Sequence, residues 1–160
     1  MKDRNIAVTL ECFIRKKGKY LMLCRSSKKR IMPNVWMAPG GHREFNEGLF
    51  ECARREVLEE TGLKIKNFRL KAVGNAYLKD LKQEFYFSFV VADYQSGNLK
   101  KKAVDGDFAW FKPTEILKLP NLLAELKFVI PYILNSSKDV ISYKAVYKKD
   151  NILCSFKLEK

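Results

Sequence analysis

Alternating apolar and polar positions near the start of the chain predict a β-hairpin. Two apolar runs, residues 6–15 and 20–25, are separated by the polar turn KKGK. Residues 68–78 and 84–94 are rich in aromatic and β-branched side chains and flank a second polar turn, which predicts a longer hairpin. The short apolar segment VWMAP, residues 35–39, predicts a further strand between the two hairpins.

The C-terminal part of the chain mixes strand and helix patterns. A polar loop leads into the strand FAWF at residues 108–111, and residues 114–119 and 121–134 predict two short helices. Residues 139–159 predict a terminal hairpin that turns around Asp150. Strands and hairpins mixed with helices predict an α/β protein with a partly antiparallel sheet covered by helices.

A stretch of helix formers without proline lies between the two hairpins. Residues 47–61 predict a single helix, with Asn46 as its N-cap and Gly62 as its stop signal. At about 100° per residue, one face of this helix is apolar and is expected to pack on the sheet. That face carries Leu49, Ala53 and Val57, with Phe50 beside them.

Length and composition describe one globular domain. The 160 residues are 47% hydrophobic, which is enough apolar mass for a single core over residues 1–160. No apolar run reaches the ~20 residues that span a bilayer, and the polar opening MKDRN does not resemble a signal peptide. We therefore expect a cytoplasmic protein with no membrane partner, as a monomer or a homodimer.

The four cysteines show no C-x-x-C spacing, and at least two of them sit inside apolar runs. This pattern predicts reduced, inert core thiols rather than disulfides or a metal site. The cysteines are Cys12, Cys24, Cys52 and Cys154.

The net charge of +13 is unevenly distributed along the chain. Residues 1–35 carry ten Lys and Arg against two acids, whereas residues 36–63 carry three against six. An acidic pocket ringed by a basic surface suits a polyanionic ligand. The same excess supports weak nonspecific binding of nucleic acid, and no specific nucleic acid is expected as a partner.

Three carboxylates, those of Glu56, Glu59 and Glu60, lie within one turn of the predicted helix. Like charges at this spacing repel each other, and Arg55 supplies one positive charge against three. Oxygen ligands without a His or Cys partner favour Mg²⁺, or Mn²⁺, and such ions are the usual partners of phosphate groups. The alternative is a solvated, salt-bridged helix face, which is common for charge runs.

The spacing of the whole acidic block favours the metal site. Residues 41–63, GHREFNEGLFECARREVLEETGL, reproduce the complete signature of the Nudix hydrolase family in glycines, acids and arginine. This resemblance implies a Nudix fold, an α/β/α sandwich with a mixed parallel and antiparallel sheet. It also implies a Nudix pyrophosphohydrolase that cleaves a nucleoside diphosphate linked to another group, usually with Mg²⁺.

The same resemblance assigns roles to residues of the block. Glu56, Glu59 and Glu60 would be metal ligands, and Glu56 would also position or deprotonate the attacking water. Arg55 would orient the glutamates, so that Glu56, Glu59 and Arg55 are the candidate catalytic residues. Gly40 and Asp105 are further candidate metal ligands, Asp105 because it ends a polar loop that reaches the site from the opposite side.

A looser resemblance covers the order of elements, the FxWF strand and the terminal hairpin. It points to the MutT-like branch, the 8-oxo-dGTP diphosphatases, with a nucleotide as substrate. Two departures concern base recognition, because Met37 replaces an asparagine of that branch and Glu125 is a single acid where animal members have an acidic pair. The candidate substrate-binding residues are Lys28, Arg30, Trp36, Met37, Gly41 and Glu125.

Other substrates and one other class of function remain open. The substrates are ordinary nucleoside triphosphates, guanosine tetra- and pentaphosphate alarmones, dinucleoside polyphosphates and ADP-ribose. The other class is a Nudix-fold module that binds nucleotide or RNA without turnover. His42 is expected to be a loop residue and Tyr77 a strand aromatic, neither with a catalytic role.

Overall fold

The computed structural model describes residues 6–101, 104–149 and 151–159. The opening MKDRN and the turn residue Asp150 lie outside the described residues. The prediction of one domain over residues 1–160 stays a prediction.

The order of elements follows the sequence pattern, with both predicted hairpins and the terminal hairpin present. The strands are β1 Ile6–Lys16, β2 Lys19–Arg25, β3 Trp36–Met37, β4 Gly40–His42, β5 Lys64–Leu78, β6 Gln83–Ser96, β7 Gly106–Phe111, β8 Ile141–Lys148 and β9 Ile152–Glu159. The helices are α1 Leu49–Thr61, α2 Pro113–Ile116 and α3 Leu126–Ile133.

The strands form one mixed sheet in the order β3-β2-β1-β6-β5-β8-β9, with β4 paired to β1 and β7 paired to β2. The pairs β1/β6 and β5/β8 are parallel, and the other pairs are antiparallel. This topology confirms the predicted mixed sheet of the Nudix fold.

Helices cover both faces of this sheet. Successive residues of β1 point to opposite sides, so each face of the strand supplies apolar side chains to a different helix. Cys12 and its neighbours two positions away pack with the apolar face of α1, including Ala53 and Val57. Phe13 instead joins the cluster that contains the apolar residues of α3, such as Val129. The resulting α/β/α arrangement leaves the start of α1 and the loop before it at the edge of the core.

The helix α1 begins two residues later than the sequence predicts. Its N-cap is Gly48, whose N–H donates to Glu51 Oε2 at 2.7 Å, whereas Asn46 adopts a turn conformation with φ of 57°. Glu47 lies outside the helix because its carboxylate is held by Arg55. The predicted stop is confirmed, since Gly62 ends the helix with a left-handed φ of 77°.

Two backbone pairings explain the other differences. The peptide of Trp36 exchanges hydrogen bonds with the segment before α3, at 3.0 Å to Asn121 O and 2.9 Å from Leu123 N–H, so residues 121–125 are not helical. Gly40 and Gly41 pair with β1 and form β4, so His42, expected to be a loop residue, is instead an exposed strand end.

The thiols are free, as predicted, but they are not all in the core. Cys12 and Cys52 are buried, Cys24 is half-buried, and Cys154 is exposed on the terminal strand, where the prediction of a core position is wrong. Tyr77 lies within β5, as expected. In the part of the chain that the structure describes, no helix combines the length and apolarity that crossing a bilayer needs.

Candidate active site

Arg55, in the middle of α1, hydrogen-bonds three carboxylates, one in the loop before the helix and two on the helix itself. Its Nε and Nη2 donate to the two oxygens of Glu47 at 2.8 and 3.0 Å. Its Nη1 lies 3.0 Å from Glu56 Oε1 and 3.3 Å from Glu59 Oε2. Hydrogen bonding from Arg55 lowers the pKa of Glu47 to about 2. The guanidinium therefore fixes the acids of the block, and its one charge leaves the group negative.

Glu60 connects the end of α1 to β4. Its Oε2 accepts a hydrogen bond from the Gly40 N–H at 3.0 Å. Burial, together with the nearby carboxylates of Asp105 and Glu56, raises the pKa of Glu60 to about 8. The loop before β7 thus brings Asp105 close to the helix acids in the lining of one cavity, and its role as a metal ligand stays a prediction.

Gly41 makes room for the carboxylate of Glu56. A Cβ at this position would lie 2.5 Å from Glu56 Cδ, far inside contact distance. Burial raises the pKa of Glu56, although Arg55 opposes this effect. The first glycine of the motif is therefore a requirement for the close approach of strand and carboxylate.

A cavity of about 510 Å³ extends from these acids into the face of the sheet that α3 covers. Its volume is in the range of small-molecule sites, and most of its wall is apolar. The mouth carries Glu44, Glu56, Glu59, Glu60, Asp105 and Lys29, and the walls include Ile31, Met32, Met37, Ala76, Leu78, Phe85, Phe87 and Leu123.

Glu125 lies at the most buried end of this cavity and is 1% exposed. The Tyr143 hydroxyl donates to its Oε1 at 2.7 Å, and its own N–H donates to the Tyr147 hydroxyl at 3.2 Å. Burial raises the pKa of Glu125, against the effect of both tyrosines. One cavity therefore joins an acidic mouth to a single carboxyl fixed at its floor.

The structure brings only part of the predicted substrate-binding set to the cavity. Met37, Gly41 and Glu125 line it. Lys28 and Arg30 are exposed and outside the lining, and Trp36 packs edge to face on the ring of Phe111 instead.

Two cations line the cavity, of which sequence reasoning missed Arg25, whereas Lys29 lies in the basic loop, residues 28–30, that the sequence indicated for phosphate contact. Lys29 forms an ion pair with Asp105 across the mouth, and Arg25 donates to Ile31 O at 3.0 Å. Nothing in the run KKR separates Lys29 from its neighbours. Arg25 did carry a signal, because it is a charged residue that closes an apolar strand.

The acids fit a hard divalent ion by donor type, although they do not yet converge. Among the described residues, no three acidic, histidine or cysteine side chains lie close enough together to hold a metal as they stand. Glu56 and Glu59 contact Arg55, and Glu60 contacts Gly40. All of these donors are oxygens, which suits Mg²⁺ or Mn²⁺ once the side chains turn inward.

A further buried acid, Glu11, was not singled out by the sequence. It is 0% exposed, its Oε2 accepts from the Ala38 N–H at 3.1 Å, and burial raises its pKa to about 8. The nearby acids Glu125 and Glu60 contribute to this increase in pKa, whereas the Ala38 N–H and Arg25 oppose it.

The raised pKa of Glu11 predicts that metal-free protein loses stability as pH rises from about 5 to 8. In this range the folded state keeps a proton that an unfolded carboxyl, with a pKa of 4.5, has released. We expect the free energy of unfolding to fall by up to about 1 kcal/mol per pH unit for this group. Urea unfolding at pH 5 to 8 should show a smaller decrease for Glu11→Gln, and equal slopes would contradict the assignment.

An α/β/α sandwich with acids from one helix and two loops at the mouth of one cavity suits the hydrolysis of a phosphoanhydride. A NUDIX domain model matches residues 4–132, and the chain therefore belongs to the Nudix family. Membership confirms the prediction of a Nudix pyrophosphohydrolase. Nudix hydrolases generally use divalent metals, usually Mg²⁺.

Relatives and solved structures agree with this family. The chain is 28% identical over 126 residues to the nucleoside triphosphatase NudI of Escherichia coli, a match that covers 73% of this chain and 87% of the relative. It is 37% identical over 75 residues to the m7GpppN-mRNA hydrolase NUDT17 of Xenopus laevis, covering 46% of this chain but only 25% of that protein.

The crystal structure of a MutT protein from Bacillus halodurans superposes with a TM-score of 0.83 at 27% identity. That match covers 96% of this chain and 97% of the other, so the likeness extends over the terminal hairpin as well as the motif.

Proposed function

We propose that this protein hydrolyses a purine nucleoside triphosphate, oxidised forms such as 8-oxo-dGTP included, to the monophosphate and pyrophosphate with Mg²⁺. The observation that carries the proposal is the single cavity with acids at its mouth and the fixed carboxyl of Glu125 at its floor. A triphosphate needs charge compensation at one end and a base needs a dry pocket at the other. The similarity to NudI supports a nucleoside triphosphate as substrate.

The mouth is suited to the phosphate end of the substrate. Glu56, Glu59 and Glu60, with Asp105 and the Gly40 backbone, would hold the metal, which offsets phosphate charge and acidifies water when bound. Arg55 keeps the acids oriented, and Glu56 is the candidate for positioning the attacking water. Lys29 and Arg25 contribute positive charge beside the same mouth and would contact phosphate oxygens.

The floor is suited to the base. The hydroxyls of Tyr143 and Tyr147 both hydrogen-bond the Glu125 carboxyl, and its remaining acceptor capacity would accept from an N–H of the base. Met37, Phe87 and Leu123 offer apolar surface for the ring faces. An oxygen acceptor in an apolar pocket discriminates strongly, because a base without a matching N–H leaves the carboxyl unpaired.

Glu125→Gln tests this role and keeps the size of the side chain. We expect kcat/KM for the preferred purine triphosphate to fall by about 10–100-fold, since the amide replaces an acceptor by a donor. The affinity for Mn²⁺ should stay unchanged, because Glu125 is remote from the proposed metal ligands. Glu115→Gln on the exposed face of α2 is the control, and equal specificity constants in the two variants would contradict base recognition by Glu125.

A second candidate is the 5′ cap of mRNA, favoured by the similarity to NUDT17 and by the net charge of +13. A cap carries a purine and a phosphoanhydride, so the same cavity would serve both ends. The basic surface would then attract the RNA chain. In this reading the protein remains a hydrolase and only the leaving group changes.

The deciding experiment compares specificity constants for 8-oxo-dGTP, dGTP, a capped RNA, a guanosine alarmone, a dinucleoside polyphosphate and ADP-ribose with Mg²⁺. We expect the highest value for one of the purine triphosphates, with pyrophosphate as a product. A capped RNA that exceeds them would favour the second candidate. Turnover on none of these compounds, with nucleotide still bound, would favour a binding module.

A further inference from the structure

Glu11 is completely buried, and no step of the proposed reaction uses it. It lies on β1 directly opposite Gly40 of β4 in the antiparallel register. Its carboxyl reaches past this partner, and Oε2 accepts the Ala38 N–H at 3.1 Å. Glu11 is therefore bound to the segment that leads into the proposed metal site.

Residues 38–40 are fixed one after another. Glu11 binds the Ala38 N–H, the Cys12 N–H donates to Pro39 O at 2.7 Å, and Glu60 binds the Gly40 N–H at 3.0 Å. The backbone is also close to β1, since a Cβ on Gly40 would lie 2.1 Å from Leu10 O. The orientation of the Gly40 peptide thus depends on a side chain at each end of the segment.

Packing alone does not account for an acid at position 11. Burial of a carboxyl carries a desolvation penalty, which an apolar side chain at this position would avoid. Oε1 of Glu11 also has no hydrogen-bond partner among the described residues. Thr9 Oγ1, two residues away on the same face, and Arg25 Nε share this property, and both residues line the cavity.

We propose that Glu11 is a positioning residue, which holds residues 38–40 so that Gly40 is set against Glu60 as a metal ligand. The inference rests on the proposed metal site. It assigns to Glu11 no contact with substrate, and its effect passes through the Ala38 N–H. Groups that orient metal ligands typically contribute about 10–100-fold to metal affinity.

The test is calorimetric titration of the protein with Mn²⁺ without nucleotide. Glu11→Met keeps the volume but removes the acceptor, and we expect the Kd for Mn²⁺ to rise by at least about 10-fold. Glu11→Gln keeps an acceptor oxygen for the Ala38 N–H. Its Kd for Mn²⁺ should therefore stay within about 3-fold of the wild-type value. Glu115→Met is the matched control, because Glu115 also accepts a backbone N–H, that of Lys112, but lies outside the cavity, and it should not change the Kd.

Hydrogen exchange at the Ala38 amide gives a readout that is independent of metal. Exchange should accelerate in Glu11→Met and remain slow in Glu11→Gln, while the Gly62 amide, which donates to Leu58 O, serves as the internal reference for an intact fold. A wild-type Kd for Mn²⁺ in Glu11→Met would overturn the role of Glu11 but leave the proposed metal site in place. A wild-type protein that binds no Mn²⁺ would overturn the proposed metal site and the inference with it.

Discussion

Glu56→Gln is expected to lower kcat by about 10³-fold, which corresponds to about 4 kcal/mol. Glu56 is the acid that contacts Arg55, approaches Gly41 and lies 14% exposed at the cavity mouth. A neutral amide fits the same space but holds a divalent ion poorly and cannot accept a proton from water. Steady-state kinetics at saturating Mg²⁺ measures the loss.

The same substitution is not expected to unfold the protein. Burial already raises the pKa of Glu56, so a neutral side chain at this position removes a partly unfavourable charge. The melting temperature should therefore hold while kcat falls. Glu51→Gln on the same helix is the control, since its amide oxygen can still accept from Gly48 N–H and its carboxylate is outside the cavity. A kcat for Glu56→Gln within about 3-fold of the Glu51→Gln value would refute the catalytic assignment.

Glu59→Gln should change turnover in the same direction. Its side chain is 60% exposed and makes the longer contact to Arg55, at 3.3 Å. Such a carboxylate is free to move toward an arriving metal and nucleotide. We therefore expect Glu56 to be held in place by the fold and Glu59 to move into place when the ligand binds.

Local patterns predicted the helix, its stop and the group of acids, because each depends on spacing along one element. The stripe of α1 and the left-handed turn at Gly62 follow from side-chain periodicity and from a backbone preference. The acids that contact Arg55 also lie close to it in the sequence, on the same helix or in the loop just before the helix. Such interactions are readable from sequence because the chain brings the partners together by itself.

Contacts between distant segments explain what the sequence did not predict. The strand β4 forms because it pairs with β1. The helix α3 starts later than predicted because backbone groups of Asn121 and Leu123 hydrogen-bond the Trp36 peptide. Lys29 lines the cavity while its neighbours do not, because it forms an ion pair with Asp105, which is distant from it in the sequence. Glu11 likewise accepts a hydrogen bond from the Ala38 N–H, which is distant from it in the sequence.

The acids at the mouth and the acid at the floor differ in what compensates them. Glu56 and Glu59 share the guanidinium of Arg55, and that contact is present without any ligand. Glu125 is compensated only by neutral donors, chiefly the Tyr143 hydroxyl. A cation is therefore expected to bind at the mouth, and a neutral ring with N–H groups is expected at the floor.

Gly41→Ala is expected to reduce kcat by about 100-fold although it adds a single methyl group. The new Cβ would lie 2.5 Å from Glu56 Cδ, so the carboxylate must move by about 1 Å, and a misplacement of that size typically costs about 100-fold in rate. Gly48→Ala is the matched control in the same motif, because its Cβ would lie 3.1 Å from Glu51 Oε2, a less severe approach to a carboxylate outside the cavity. In a Glu56→Ala background the Gly41→Ala change should add less than about 3-fold, since both act through one carboxylate. Additive losses in this cycle would show that Gly41 acts through another contact.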